Sequence, residues 1–146
     1  MRDLTAKRVL ITGAGHGVGR ELALQFALQG ATIIVTDLDL VRVESTVEFL
    51  TNAGHKAVGF RMDVSDPASV KAVRNQVRES VGSIDILVNN AGVVFGGAFM
   101  DVPIEKHLAT YRVNTMGPAI VTHAFLPDLV ENDEGHCVNI ASAAAM

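Results

Sequence analysis

One cysteine, one tyrosine and no tryptophan stand among the 146 residues. A lone Cys137 cannot close an internal disulfide, and its place in an apolar run predicts a buried, inert thiol. Basic side chains number 12 against 16 acidic ones, for a net charge of −4. That balance offers no footprint for nucleic acid or an anionic membrane surface. No apolar run approaches the roughly 20 residues that span a bilayer, and no secretory leader precedes the first strand, so a cytoplasmic protein is expected. The histidines show no paired ligand spacing, and no metal site is predicted. No repeat or linker divides the chain, so one domain over residues 1–146 is expected.

Apolar residues and glycine are what the chain has in quantity, 49% and 13 residues respectively. In Val9-Leu10-Ile11-Thr12-Gly13-Ala14-Gly15-His16-Gly17-Val18-Gly19, an apolar run becomes a glycine-dense turn. Helix-period sequence comes next, at Val18, Leu22 and Phe26. This is the layout of a strand, a phosphate-binding turn and a helix N-terminus. Glycines let the backbone approach a pyrophosphate, and the helix start adds unpaired N–H groups and a positive dipole end. The spacing is T-G-x-x-x-G-x-G, with Val18 where a third glycine of G-x-G-x-x-G would fall. A plain turn would use the same glycines, but not the strand before them and the helix after.

Further strands are predicted over 32–36, 57–62, 84–88 and 136–140. Helices run to about Gln29, from Leu40 to Gly54, from Pro67 to Gly82 and from Pro103 to about Val130. Gly30, Gly54 and Gly82 act as stops, and Asp66 caps the third helix with Pro67 at its first position. Such alternation with short connections makes βαβ units, an α/β fold with a doubly wound parallel sheet. Right-handed crossovers and the glycine turn after strand one favour the order 3-2-1-4-5. The ligand crevice is then expected at the carboxyl ends of strands one and four. Pro118 lacks an N–H, so the carbonyl of Asn114 loses its helical donor and is available for an ordered water. The alternative is a wide turn closed by the Ala119 N–H, leaving only a kink.

Polar residues close the strands. Asp37 stands where an acidic side chain accepts both hydroxyls of an adenosine ribose and repels a 2′-phosphate, favouring NAD over NADP. His16 is the one cationic counterweight the sequence suggests. Asp63 reads equally well as a turn residue, and so does Asn89-Asn90.

Together, T-G-A-G-H-G-V-G from Thr12, Asp37, Asp63-Val64, N-N-A-G from Asn89, Asn114 in Y-R-V-N and I-A-S-A-A from Ile140 resemble the short-chain dehydrogenase/reductase family. The details resemble its retinol and 17β-hydroxysteroid dehydrogenase-like branch. The resemblance implies a Rossmann-like fold that binds NAD(P), and an oxidoreductase of secondary alcohols and ketones. Thr12, Gly13, His16, Gly17, Val18 and Gly19 would form the pyrophosphate turn, and Asp37 with Leu38 the adenosine ribose site. Asp63 and Val64 would meet the adenine, and Asn90, Ala91 and Gly92 the middle of the cofactor. Ser142 would hydrogen-bond the reacting oxygen, and Asn114 would help hold a proton-relay water. The family's catalytic Tyr and Lys would fall beyond Met146, as would its last strands, and Tyr111 lies in the wrong place to substitute. The sequence therefore reads as a truncated chain, inactive alone, or as a non-catalytic dinucleotide-binding module. A second copy of the chain is expected as partner through the helix around 115–130. Met116, Ile120 and Ala124 lie on one side of it, and Val121, Phe125 and Leu129 continue the apolar arc.

Overall fold

Alternate residues of the first strand point to opposite sides of a sheet, and two separate apolar cores result from that period of two. Val9 and Ile11 lie in one core, and Leu10 lies in the other. The structure, a computed structural model, describes residues 3–142. Its elements in chain order are β1 (Arg8–Thr12), α1 (Gly17–Leu28), β2 (Thr32–Asp37), α2 (Leu40–Asn52), β3 (Ala57–Arg61) and α3 (Pro67–Ser80). Then come β4 (Ile86–Asn89), α4 (Ile104–Tyr111), a π turn (Arg112–Met116), α5 (Gly117–Glu131) and β5 (His136–Asn139). A short 3-10 turn, Phe99–Asp101, interrupts the loop before α4. The sheet has the order β3-β2-β1-β4-β5, and every neighbouring pair is parallel. That is the predicted topology.

Each face of the sheet carries its own helices. Ala23 and Ala27 of α1, with Val43 and Leu50 of α2, pack on Val9, Ile11, Ile33 and Val35. Val70, Val73 and Val77 of α3, with Val121 and Phe125 of α5, pack on Leu10, Ile34 and Leu87. Strands covered on both sides read as continuous apolar runs, which is why β1, β2 and β4 stand out in the sequence. The helix stops behave as expected, with φ of 84°, 85° and 89° at Gly30, Gly54 and Gly82. Asp39 and Asp66 cap α2 and α3 by accepting N–H groups from their first turns.

Several expectations change. β4 begins at Ile86, because Asp85 turns its carboxylate to the Arg8 N–H (2.8 Å) and guanidinium Nε (3.0 Å). The long helix is three pieces, and its interruption is a wide turn closed by the Gly117 N–H on the Arg112 carbonyl. This resembles the kink alternative but lies before Pro118, which occupies the first turn of α5. Cys137 is exposed, not buried, since β5 is the edge strand among the described residues and all of it is exposed. Val121, Phe125 and Leu129 face the sheet, so the outward apolar surface of α5 is narrower than the full arc. Ala143 and Ala144 of the final motif lie outside the described residues. No described helix is long and apolar enough to cross a membrane.

Among the described residues, one charge is fully buried. Asp128 of α5 is 0% exposed and accepts from Arg74 Nη2 of α3 at 2.9 Å, with Arg78 Nε at 3.7 Å. Its Oδ2 and the Arg74 Nε have no partner, so the pair is only partly satisfied. Replacing Arg74 with Met leaves that carboxylate short of its main partner, and should cost about 3–5 kcal/mol. Adding Asp128→Leu should recover most of the loss, because the pair is then replaced by apolar packing. Urea unfolding followed by far-ultraviolet circular dichroism measures both.

Candidate functional site

At the carboxyl ends of β1 and β4 the chain leaves in opposite directions, to α1 on one face and toward α4 and α5 on the other. A crevice of about 480 Å³ opens there. Its lining includes Gly13, His16, Gly17, Val18, Gly19, Asp37, Leu38, Asp63, Val64, Asn90, Ala91 and Gly92. Twelve of the predicted binding residues therefore meet at one place. Thr12, the thirteenth, sits behind the turn at 2% exposure. Its hydroxyl accepts the Asn90 and Ala91 N–H groups, both at 3.0 Å.

The turn is shaped for something other than a side chain. Gly17 has φ of +53°, and nothing lies within 4 Å of where a Cβ would be. Its backbone thus borders open space at the mouth of α1. His16, the residue before that helix, makes no side-chain cap, so the first-turn N–H groups are not capped by its imidazole. Uncapped N–H groups and the dipole end are the physical basis of anion binding at a helix start. Gly19 is different: its Cβ would overlap the Gly13 carbonyl and Asn90 Nδ2. It lets α1 sit flush against the turn.

Asp37, at the end of β2, closes one end of the crevice. It is 8% exposed. Its Oδ2 accepts the Gly15 N–H at 3.0 Å and its Oδ1 the Asp39 N–H at 3.1 Å. A carboxylate has about four lone-pair sites, so capacity for two ribose hydroxyls remains. Asp63 combines its two readings: it lines the crevice, while its Oδ1 accepts the Ser65 N–H (2.9 Å) and hydroxyl (2.7 Å) of a local turn. Val64 is pressed against α5, where a Cβ on Gly117 would stand 2.9 Å from its Cγ2.

The two residues predicted at the reaction end lie outside this lining. Asn114 uses its side chain as a clamp on the loop after β4: Oδ1 accepts the Val93 N–H and Nδ2 donates to the Val93 carbonyl, both at 2.8 Å. Ser142 is exposed on the segment that leaves β5. Sequence reading missed Asp39, Arg42, Met62, Val93 and Val113 of the lining. It also missed Thr46, a buried α2 residue that donates to the Ala14 carbonyl at 3.2 Å and so holds the turn. Arg42 corrects the expectation that His16 is the only cation near Asp37. The Asp39 cap, three positions earlier, is the sequence signal that α2 begins beside this site.

A sheet wound outward both ways from a glycine turn, with an acidic end on the adjacent strand, defines the Rossmann-like class. The model of the family described as short chain dehydrogenase matches residues 7–146, and the chain belongs to that family. It is 39% identical to the human (Homo sapiens) epidermal retinol dehydrogenase 2, over 99% of this chain and 47% of that protein. It is 38% identical to estradiol 17-beta-dehydrogenase 11 of Mus musculus, over 98% of this chain and 48% of that protein. A solved short chain dehydrogenase/reductase from Burkholderia phymatum, in complex with NAD, superposes with a TM-score of 0.93 at 36% identity. The match covers 99% of this chain and 52% of that one. The chain spans about half the length of the curated relatives it matches.

Gly17 and Gly19 separate ligand from fold. Gly17→Ala should fold, at a cost of about 1–2 kcal/mol for a left-handed alanine, and should lose dinucleotide binding because its methyl enters the crevice. Gly19→Ala should lose stability first, by about 1–3 kcal/mol or more from overpacking against backbone. Denaturation midpoints beside NADH titrations test the contrast; the reverse pattern would contradict it.

Proposed function

We propose that residues 1–146 form the dinucleotide-binding domain of an oxidoreductase that moves a hydride between a nicotinamide and a secondary alcohol or ketone. The observation that carries this reading is the meeting of an uncapped helix start, a turn with an open glycine and a buried strand-end carboxylate in one crevice. The site fits a dinucleotide on that ground. Gly17, Val18 and Gly19 would hold the pyrophosphate, Asp37 and Leu38 the adenosine ribose, and Asp63 with Val64 the adenine. Asn90, Ala91 and Gly92 would meet the middle of the cofactor, with Gly13 and Thr12 supporting them. The bound nicotinamide would supply the hydride chemistry. Ser142 would hydrogen-bond the substrate oxygen, and Asn114 would position the loop after β4 while its carbonyl, which Pro118 cannot serve as a donor, holds a water.

NAD(H) is the preferred cofactor in this reading. A 2′-phosphate beside Asp37 would be repelled by up to about 4 kcal/mol at an effective dielectric near 20. The NAD in the Burkholderia phymatum structure supports the same choice. Residues 1–146 contain a single tyrosine, Tyr111; its side chain lies on α4 and is 66% exposed. The segment by itself should therefore bind NADH without turning over an alcohol. Titration of NADH and NADPH, with alcohol-dependent NADH absorbance as the activity readout, tests both statements. Equal affinities, or tighter NADPH, would sink the preference. Asp37→Ala should narrow the gap by about tenfold or more.

The exposed residues Met116, Leu126 and Val130 support a second copy of the chain as partner. Sedimentation velocity should then show a dimer that Leu126→Glu dissociates. A monomer at every accessible concentration would remove this part of the reading.

A further inference from the structure

Every backbone polar group of Ala14 and Gly15 is held from outside the glycine turn. The Ala14 N–H donates to the Thr36 carbonyl at 2.9 Å, and the Gly15 N–H donates to Asp37 Oδ2 at 3.0 Å. Both carbonyls are met by one group, the Thr46 hydroxyl of α2, at 3.2 Å for Ala14 and 3.4 Å for Gly15. The peptide unit joining Ala14 to Gly15 is therefore gripped at both ends, its carbonyl by Thr46 and its N–H by Asp37. The carbonyl of the next unit is held in the same way. A trans peptide sets its N–H opposite its C=O, so the His16 N–H points away from Thr46. Ala14 and Gly15 are buried, whereas Gly13, His16, Gly17 and Val18 line the crevice. The grip thus lies behind the surface that a ligand would touch.

We propose that Thr46 is a positioning residue for the cofactor pyrophosphate, a role that rests on the dinucleotide reading above. Its one hydroxyl proton, shared between two successive carbonyls, keeps both turned toward α2. The N–H side of the turn is thereby left to the phosphates. Glycine is what makes such a hold necessary. Gly15 lacks a Cβ, and its backbone can rotate into conformations closed to other residues. Rotation of the unit between Gly15 and His16 would exchange its N–H for its C=O on the crevice side. A carbonyl dipole there would repel the anion that an uncapped helix start attracts. A side chain at position 15 would restrict that rotation, but there is no room for one. A Cβ on Gly15 would stand 2.6 Å from Arg42 Cβ and 2.8 Å from Asp37 Oδ2. Close packing thus demands glycine, and the Thr46 hydroxyl restores the restraint that glycine removes. The buried residues of α2 are Val43, Thr46 and Leu50, a stripe at helical spacing. Thr46 is the polar member of that stripe and is 0% exposed, so its hydroxyl is a buried group with a fixed use.

Titrations of NADH, ADP and adenosine into the purified protein, Thr46→Val and Thr46→Ser separate the hydroxyl from its volume. Thr46→Val keeps the shape and removes the donor, and should weaken NADH and ADP by about tenfold. Adenosine carries no phosphate, and its affinity for Thr46→Val should stay within about twofold. Thr46→Ser keeps the donor and should hold NADH affinity within about twofold, even as the lost methyl lowers its denaturation midpoint. Thr46→Val binding NADH like the unmodified protein, or losing adenosine as much as ADP, would overturn the proposal. So would a Thr46→Ser affinity that falls as far as that of Thr46→Val. Amide hydrogen exchange of the unmodified protein decides the matter even if Thr46→Val does not fold. The Gly15 N–H should be protected without ligand, and NADH should slow exchange at the His16 N–H. A Gly15 N–H that exchanges like an exposed amide, or a His16 N–H indifferent to bound NADH, would equally overturn it. If the unmodified protein binds neither NADH nor ADP, the dinucleotide reading fails and the role of Thr46 with it. If it binds both and Thr46→Val does so equally well, only the role of Thr46 fails.

Discussion

Thr12 and Asn90 tie together the two strand ends between which the crevice opens. The Thr12 hydroxyl accepts the N–H groups of Asn90 and Ala91, and Asn90 Nδ2 donates to the Thr12 and Gly13 carbonyls at 3.0 and 3.2 Å. Without that tie, β1 and β4 would continue independently into loops on opposite faces of the sheet. With it, the turn after β1 and the loop after β4 form one floor. The fit is close enough that a Cβ on Gly13 would stand 2.8 Å from Ala91 Cα. Everything that approaches the crevice from α1, α2 or β2 is positioned relative to that floor.

The two faces of the sheet divide the work. The α1 and α2 side supplies the walls of the crevice at its β2 end, through Asp37, Thr46 and the start of α2. Gly59 of β3 allows α2 to lie flush on the sheet, since a Cβ there would overlap Val43 and come within 2.8 Å of Val47. The α3 and α5 side supplies the Val64–Gly117 contact, with the buried Asp128 pair joining the two helices. A partly satisfied buried ion pair is weak support for stability, but it penalises misplacing one helix against the other.

Local chemistry makes most of the fold legible. The valines of α3 recur at helical spacing, the Asp66-Pro67 start is a capping signal, and β1 and β2 are apolar runs of strand length. The glycine turn and Asp37 are legible because their residue types have few other uses in that setting. Arg42, Thr46 and Val113 are not, because what brings them to the crevice is the packing of α2 and of the π turn, which no short window of sequence contains. Thr12 reads as a ligand-facing residue, yet one hydroxyl taking two backbone N–H groups is a tertiary fact. Cys137 misleads because an apolar run does not say whether its strand lies inside the sheet or at its edge.

The π turn before α5 sets the helical phase of the residues beyond it. A bond from Gly117 back to Arg112 encloses one residue more than an α turn. Each residue in an α-helix advances the chain by about 100°, so α4 and α5 are offset in rotation although the helical segment is continuous. With that offset Asn114 faces Val93, while Val121 and Phe125 still face the sheet. Removing one residue from the turn would bring the two helices into register and force a choice between the clamp and the core. The irregularity is thus a spacer of one residue, and its length is constrained even where its side chains are exposed.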